Sequence, residues 1–169
     1  RLVGHLAAEG AAVVNLDDPA WRALRPAART VTFSAAGAAA DVRIADVAYE
    51  PRGSRGTLRA GDAAVPVHVP LIGDFNVANA CAAAAAAWAL GLPLDHIAAA
   101  LATLPQVPGR LEVLHEGPTV LRDYAHTPDA LARALAAVRP FARGRLIVLF
   151  GAGGDRDRGK RPEMGRLAE

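Results

Sequence analysis

The sequence has 169 residues, a formal net charge of +2 and a single cysteine; just over half of it is hydrophobic, much of that Ala and Val, and only 5% is aromatic. That is enough chain for one ordinary domain or two partial ones, with a core of small side chains packed closely. The near-neutral balance argues against a nucleic-acid or membrane surface, the lone Cys81 excludes an internal disulfide framework and fits a reducing compartment, and no apolar run reaches the ~18 residues needed to span a bilayer.

Taken in order, Arg1 to Glu9 reads as the end of a helix stopped by Gly10, and Ala11 to Leu16 as a buried strand. Asp17-Asp18-Pro19 caps a short helix through Leu24, and Thr30 to Ser34 is a second strand. From Asp41 to Val69 the pattern is β: Val42/Ile44, Thr57/Leu58 and Val65/Val67/Val69, separated by Arg52-Gly53-Ser54-Arg55-Gly56 and by Gly61-Asp62. This predicts an antiparallel meander added to the sheet. Gly73-Asp74-Phe75-Asn76 opens a helix that runs to about Leu90, Gly91 ends it, and Pro93 starts another through Leu101. Cys81 reads as a small buried residue on that first, Ala-rich helix. Trp21 and Trp88 read as core or helix packing.

Leu104 to Gly109, with two prolines and a glycine, marks a domain boundary. Beyond it come strands at Arg110 to His115 and Thr119 to Asp123, an amphipathic helix from Asp129 to Val138, a strong strand at Arg145 to Phe150, a Gly-rich loop and a final helix. That succession is the start of a parallel doubly wound sheet. The first and last residues both fall inside helical patterns, so the sequence reads as a piece of a longer protein.

Three places carry chemistry. Asn76 and Asn79 sit at i and i+3 in the first turn of a helix, where two amides can read an adenine edge or serve only as local caps. Arg110 and Asp123 lie at the outer ends of two strands predicted to pair across Gly117-Pro118. There an Arg can neutralise phosphate and an Asp can accept from ribose hydroxyls, or the two form a rim salt bridge. Asp123 opens Asp-Tyr-Ala-His-Thr-Pro, which places polar groups at the carboxyl end of a strand, with Thr127 as N-cap and Pro128 at the first helical position. The third place is the loop Gly151 to Pro162. Its Gly154 to Lys160 stretch satisfies G-x-x-x-x-G-K, but Arg161 stands where a phosphate-binding loop needs the Mg²⁺-holding hydroxyl. What remains is a cationic loop at a helix N-terminus, suited to a carboxylate or phosphate.

Val-Val-Asn-Leu-Asp-Asp-Pro (13–19), Gly-Asp-Phe-Asn-Val-Ala-Asn-Ala (73–80), Pro-Gly-Arg-Leu-Glu (108–112), Asp-Tyr-Ala-His-Thr-Pro-Asp-Ala-Leu (123–131) and Gly-Gly-Asp-Arg-Asp-Arg-Gly-Lys-Arg-Pro (153–162) occur in this order. The set closely resembles the Mur ligase family, and within it the MurE type, the UDP-N-acetylmuramoyl-tripeptide synthetases. The resemblance implies an α/β fold. Residues 1–108 would be the later part of a central ATPase domain, a mixed sheet with an antiparallel β addition and helices, and residues 109–169 the first part of a Rossmann-like C-terminal domain.

It further implies a monomeric, cytoplasmic bacterial ligase that uses ATP and Mg²⁺ to join meso-diaminopimelate or L-lysine to UDP-N-acetylmuramoyl-L-alanyl-D-glutamate in peptidoglycan synthesis. By resemblance Asn79, with Asn76 beside it, faces the adenine; Arg110 reaches phosphate and Asp123 ribose. Arg156 grips a carboxylate of the added amino acid, and His126 and Lys160 lie at the same edge. The family's P-loop and Mg²⁺ ligands are expected upstream of Arg1, so the chain alone is not expected to catalyse ligation. Two alternatives stay open: another ligase of the superfamily (folylpolyglutamate or cyanophycin synthetase type) or a non-catalytic nucleotide-binding module.

Overall fold

The computed structural model describes residues 5–7, 9–22, 24, 29–153 and 157–169. They form two compact units, one through Leu104 and the other Pro105–Glu169. None of the described helices is long and apolar enough to cross a membrane.

The first unit is a five-stranded sheet in the order β1 (Ala11–Asn15), β2 (Arg29–Ser34), β3 (Val42–Glu50), β4 (Gly53–Ala60), β5 (Ala63–Val69). The first three strands are parallel and the last three antiparallel, so the expected meander is present. Alternate residues Val31 and Phe33, Val42 and Ile44, Leu58 and Ala60, Val67 and Val69 point to one face, the two-residue period of a half-buried strand. Helices α2 (Asp74–Ala89) and α3 (Leu94–Ala102) cover that face. Trp88 packs at its margin, whereas Trp21, on the short helix α1 (Pro19–Arg22), is 49% exposed.

Strand β4 differs from the expectation. The glycine-rich run taken as a separator is its first half. A Cβ on Gly56 would lie 2.8 Å from the Ala45 carbonyl oxygen, so that glycine marks a close backbone approach inside the ladder rather than a turn. The paired carboxylates also divide their work. Asp18 Oδ1 accepts from Ala20 N and caps α1, but Asp17 accepts from Ser34 Oγ at 2.6 Å and from the Ala35 and Ala36 amides at 2.8 and 3.1 Å. It straps together the carboxyl ends of β1 and β2.

The buried stripe of α2 is Val77, Ala80, Cys81, Ala84 and Ala85. Such small side chains let the helix sit close to the sheet, and Cys81 Sγ lies 3.4 Å from the Ser34 carbonyl oxygen. Burial pushes the Cys81 thiol up to about 11, so at pH 8 only roughly one part in a thousand is thiolate. Native protein at pH 8 is expected to leave Cys81 unalkylated by iodoacetamide on a timescale that labels it fully in urea; mass spectrometry of the two samples checks this, and equal labelling would contradict the packing.

In the second unit β6 (Glu112–Glu116) and β7 (Thr119–Arg122) form an antiparallel hairpin across Gly117-Pro118, with Glu112 opposite Arg122. Thr127 Oγ1 caps α4 (Pro128–Val138) by accepting from Ala130 N, with Pro128 at the first helical position, as expected. Leu131 and Ala134 on α4 and Met164 on α5 (Lys160–Leu167) are buried. The strand expected at Arg145 to Phe150 is not formed among the described residues. Alternation persists, with Leu146 and Val148 half-buried near α4 while Ile147 and Leu149 are 75% and 99% exposed. An apolar run becomes a strand only when a neighbour pairs with its N–H and C=O groups, and no described strand lies beside this one.

Candidate functional site

In the first unit the candidate residues lie at the N-terminal turn of α2. Gly73 adopts φ 100° and ψ 151°, and its carbonyl accepts from the Asn76 and Val77 amides, which starts the helix. The two asparagines do not share a ligand-facing surface. Asn76 is 7% exposed, and its Nδ2 donates to the Ile72 carbonyl at 2.8 Å, so its amide fixes the entry to the helix. Asn79 is exposed, and its amide makes no hydrogen bond among the described residues. The expectation that both amides face a ligand is thus corrected for Asn76: three residues on a helix correspond to about 300° of rotation, and at this edge of the stripe that is enough to separate inside from outside.

In the second unit the candidate residues lie in the joint before β6 and the turn after β7. Loop 105–111 has no regular structure, yet it is stitched to the hairpin. Val113 N donates to Gln106 Oε1 at 2.7 Å, Gly109 N to Glu112 Oε2 at 2.8 Å, and Tyr124 N to the Gly109 carbonyl at 2.7 Å. Glu112 Oε2 also receives Arg122 Nη2 at 2.7 Å and Nε at 3.0 Å. The Gly109 amide first, and Arg122 next, hold the Glu112 carboxyl below its ordinary value of 4.5. This clamp therefore contributes above that pH and is lost as pH falls through the lowered value.

Asp123 is half-buried and does not form the rim salt bridge with Arg110. Its Oδ2 accepts from Leu111 N and its Oδ1 from Ala125 N, both at 2.9 Å. Leu111 is 5% exposed with φ 46°, a left-handed conformation that is costly for a side chain with a Cβ. Asp123 secures that residue, and the ladder begins only at Glu112↔Arg122, so Arg110 sits before the strand rather than in it.

Arg110 is exposed, and its Cζ lies over the Tyr124 ring, 5.8 Å from the centroid. The Tyr124 and His126 rings are 5.1 Å apart at 59°. Lys160 Nζ donates to the His126 carbonyl at 3.4 Å. The second unit thus gathers Arg110, Asp123, Tyr124, His126 and Lys160 along one edge. Arg156 lies outside the described residues. Tyr124, which touches both Arg110 and His126, was not among the expected residues, although it stands inside the quoted Asp-Tyr-Ala-His motif. The Glu112–Arg122 pair was missed as well; their opposite charges near the two ends of the hairpin were its signal, but a register shift between Val113 and His115 sets the pairing. Among the described residues there is no group of three or more His, Cys, Asp or Glu side chains that could hold a metal ion.

Residues 1–87 match the family model described as the Mur ligase middle domain, and residues 109–169 match that of the Mur ligase, glutamate ligase domain. The chain belongs to the Mur ligase family. It is 46% identical over 165 residues to the UDP-N-acetylmuramoyl-L-alanyl-D-glutamate–2,6-diaminopimelate ligase of Synechococcus elongatus, covering 94% of this chain and 33% of that protein. A solved structure of a ligase of the same name is 36% identical with a TM-score of 0.68, covering 94% of this chain and 34% of its own. The Acinetobacter baumannii UDP-N-acetylmuramoylalanyl-D-glutamyl-2,6-diaminopimelate–D-alanyl-D-alanyl ligase, another of the Mur ligases, is 28% identical with a TM-score of 0.74, covering 82% and 31%. The chain therefore spans about a third of the length of the relatives it matches. Their fold is the mixed α/β arrangement of this chain, so the expected fold class holds.

Proposed function

We propose that this chain is part of a cytoplasmic, ATP-dependent ligase that joins meso-diaminopimelate to UDP-N-acetylmuramoyl-L-alanyl-D-glutamate in peptidoglycan synthesis. The observation that carries this reading is the 46% identity, across 94% of the chain, to a ligase of that name. Amide formation from a carboxylate and an amine needs activation. The D-glutamyl carboxylate oxygen attacks the γ-phosphorus of ATP and ADP leaves. The amine then attacks the acyl carbon, phosphate leaves with the C–O bond's electrons, and the ammonium proton passes to solvent. In phosphoryl transfer the protein mainly positions groups and neutralises charge.

Within that reading residues 1–108 belong to the central domain and 109–169 to the C-terminal one. Asn79, exposed on α2 with an amide that makes no hydrogen bond among the described residues, reads the adenine edge, and Arg110 neutralises phosphate. Asp123 keeps two acceptor lone pairs beyond its backbone bonds, and one of these serves the ribose. His126, Lys160 and Arg156 face a carboxylate of the incoming amino acid. Mg²⁺ would supply charge neutralisation at the phosphates.

In the ligase carrying this sequence, Arg110→Ala is expected to reduce kcat/KM for ATP by roughly tenfold to a hundredfold, the loss of a charge-assisted bond worth about 1–3 kcal/mol. Initial rates of phosphate release against ATP concentration measure it. ATP kinetics that do not change would remove Arg110 from the nucleotide site.

A further inference from the structure

We propose that Tyr124 is a positioning residue for Arg110, its ring seating the guanidinium so that the N–H donors stay turned toward a phosphoryl oxygen. The inference rests on the nucleotide site proposed above. Tyr124 is 67% exposed and takes no part in the buried core, so its ring is available to neighbouring side chains. The Arg110 Cζ lies 5.8 Å from its centroid, within the range in which the negative face of a ring attracts a cation. His126 packs against the same ring at 5.1 Å.

The guanidinium has no hydrogen-bond acceptor and no carboxylate partner among the described residues. An attraction to the ring uses no hydrogen-bond acceptor, so the N–H donors remain available to a ligand. An exposed, unstacked Arg would have to order a long side chain each time it bound phosphate; a ring that restrains it beforehand lowers that entropic cost.

The two residues are also joined independently of the ring. Tyr124 N donates to the Gly109 carbonyl at 2.7 Å, and Asp123 holds the Leu111 amide. Removing the ring therefore leaves both backbones in place and takes away only the seat.

The test is a double-mutant cycle in the full ligase, reading KM for ATP, kcat and thermal midpoint in Tyr124→Phe, Tyr124→Leu, Arg110→Ala and Arg110→Ala/Tyr124→Leu. Tyr124→Leu is expected to lower kcat/KM for ATP about two- to tenfold, mainly through KM, with the midpoint unchanged. Tyr124→Phe, which keeps the ring face, should stay within about twofold of the parent, and Tyr124→Leu should have no further effect once Arg110 is Ala. A Phe variant as impaired as the Leu variant, or a Leu effect that persists undiminished in the Arg110→Ala background, would overturn the positioning role while leaving the site intact. An Arg110→Ala enzyme with unchanged ATP kinetics would instead overturn the site reading itself, and this inference with it.

Discussion

Asp123→Ala is expected to destabilise the second unit by about 2–4 kcal/mol and to impair ATP use as well, because it removes a brace as much as the proposed ribose contact. Both carboxylate oxygens receive backbone N–H groups, from Leu111 and Ala125. The Leu111 amide is the costlier to lose, since the residue is 5% exposed and stands at φ 46°. Without its acceptor that N–H is left unsatisfied in a buried position, and the left-handed backbone has less to hold it. Asp123→Asn should cost about half as much, because an amide can accept with its oxygen at one N–H but presents its own donors to the other. The readout is amide exchange at Leu111 and Ala125 together with the urea midpoint. Fast exchange at both positions in the Ala variant is the expected result. If exchange and midpoint do not change while ATP affinity falls, Asp123 acts on the ribose alone and the brace is wrong.

The same pair of residues indicates what could be read from sequence. Patterning placed β1, β2, the meander, α2, α3 and the capped α4, because each carries its own periodicity and its own end signals. It placed the hairpin across Gly117-Pro118 that carries Asp123 at the end of its second strand, but Arg110 stands before the first strand rather than in it. It could not reveal that Asp123 would spend its oxygens on backbone amides, since the demand for them comes from the conformation of Leu111, which no local pattern encodes. Arg145 to Phe150 failed for a related reason. Its residues have strand character on both faces, but strand formation depends on a partner elsewhere in the chain. Glycines in β4 misled because a close backbone approach and a turn leave the same composition. Asn76 and Asn79 were paired by helical spacing alone, when burial at the edge of the α2 stripe separates them.

The turn that presents Asn79 supplies the other large effect. Gly73→Ala is expected to lower the stability of the first unit by about 2–3 kcal/mol, a fall in its thermal midpoint of roughly 10–20 °C. Gly73 stands at φ 100° and ψ 151°, a region that is essentially closed to residues with a Cβ. An added Cβ would also lie 2.8 Å from Phe75 Cε1 and 2.9 Å from Cζ, so the ring would have to move as well. The Gly73 carbonyl starts α2 through Asn76 N at 3.1 Å and Val77 N at 3.3 Å, so a shift here turns the first helical turn and carries Asn79 with it. Asn79→Ala is the control. Asn79 is exposed and unbonded among the described residues, so its loss should change stability by no more than about 0.5 kcal/mol while still weakening ATP binding. A Gly73→Ala protein that melts with the parent would mean that the turn relaxes without strain. A Gly73→Ala protein that melts early yet binds ATP as the parent does, alongside an Asn79→Ala protein that binds it normally, would separate the N-terminus of α2 from the nucleotide altogether.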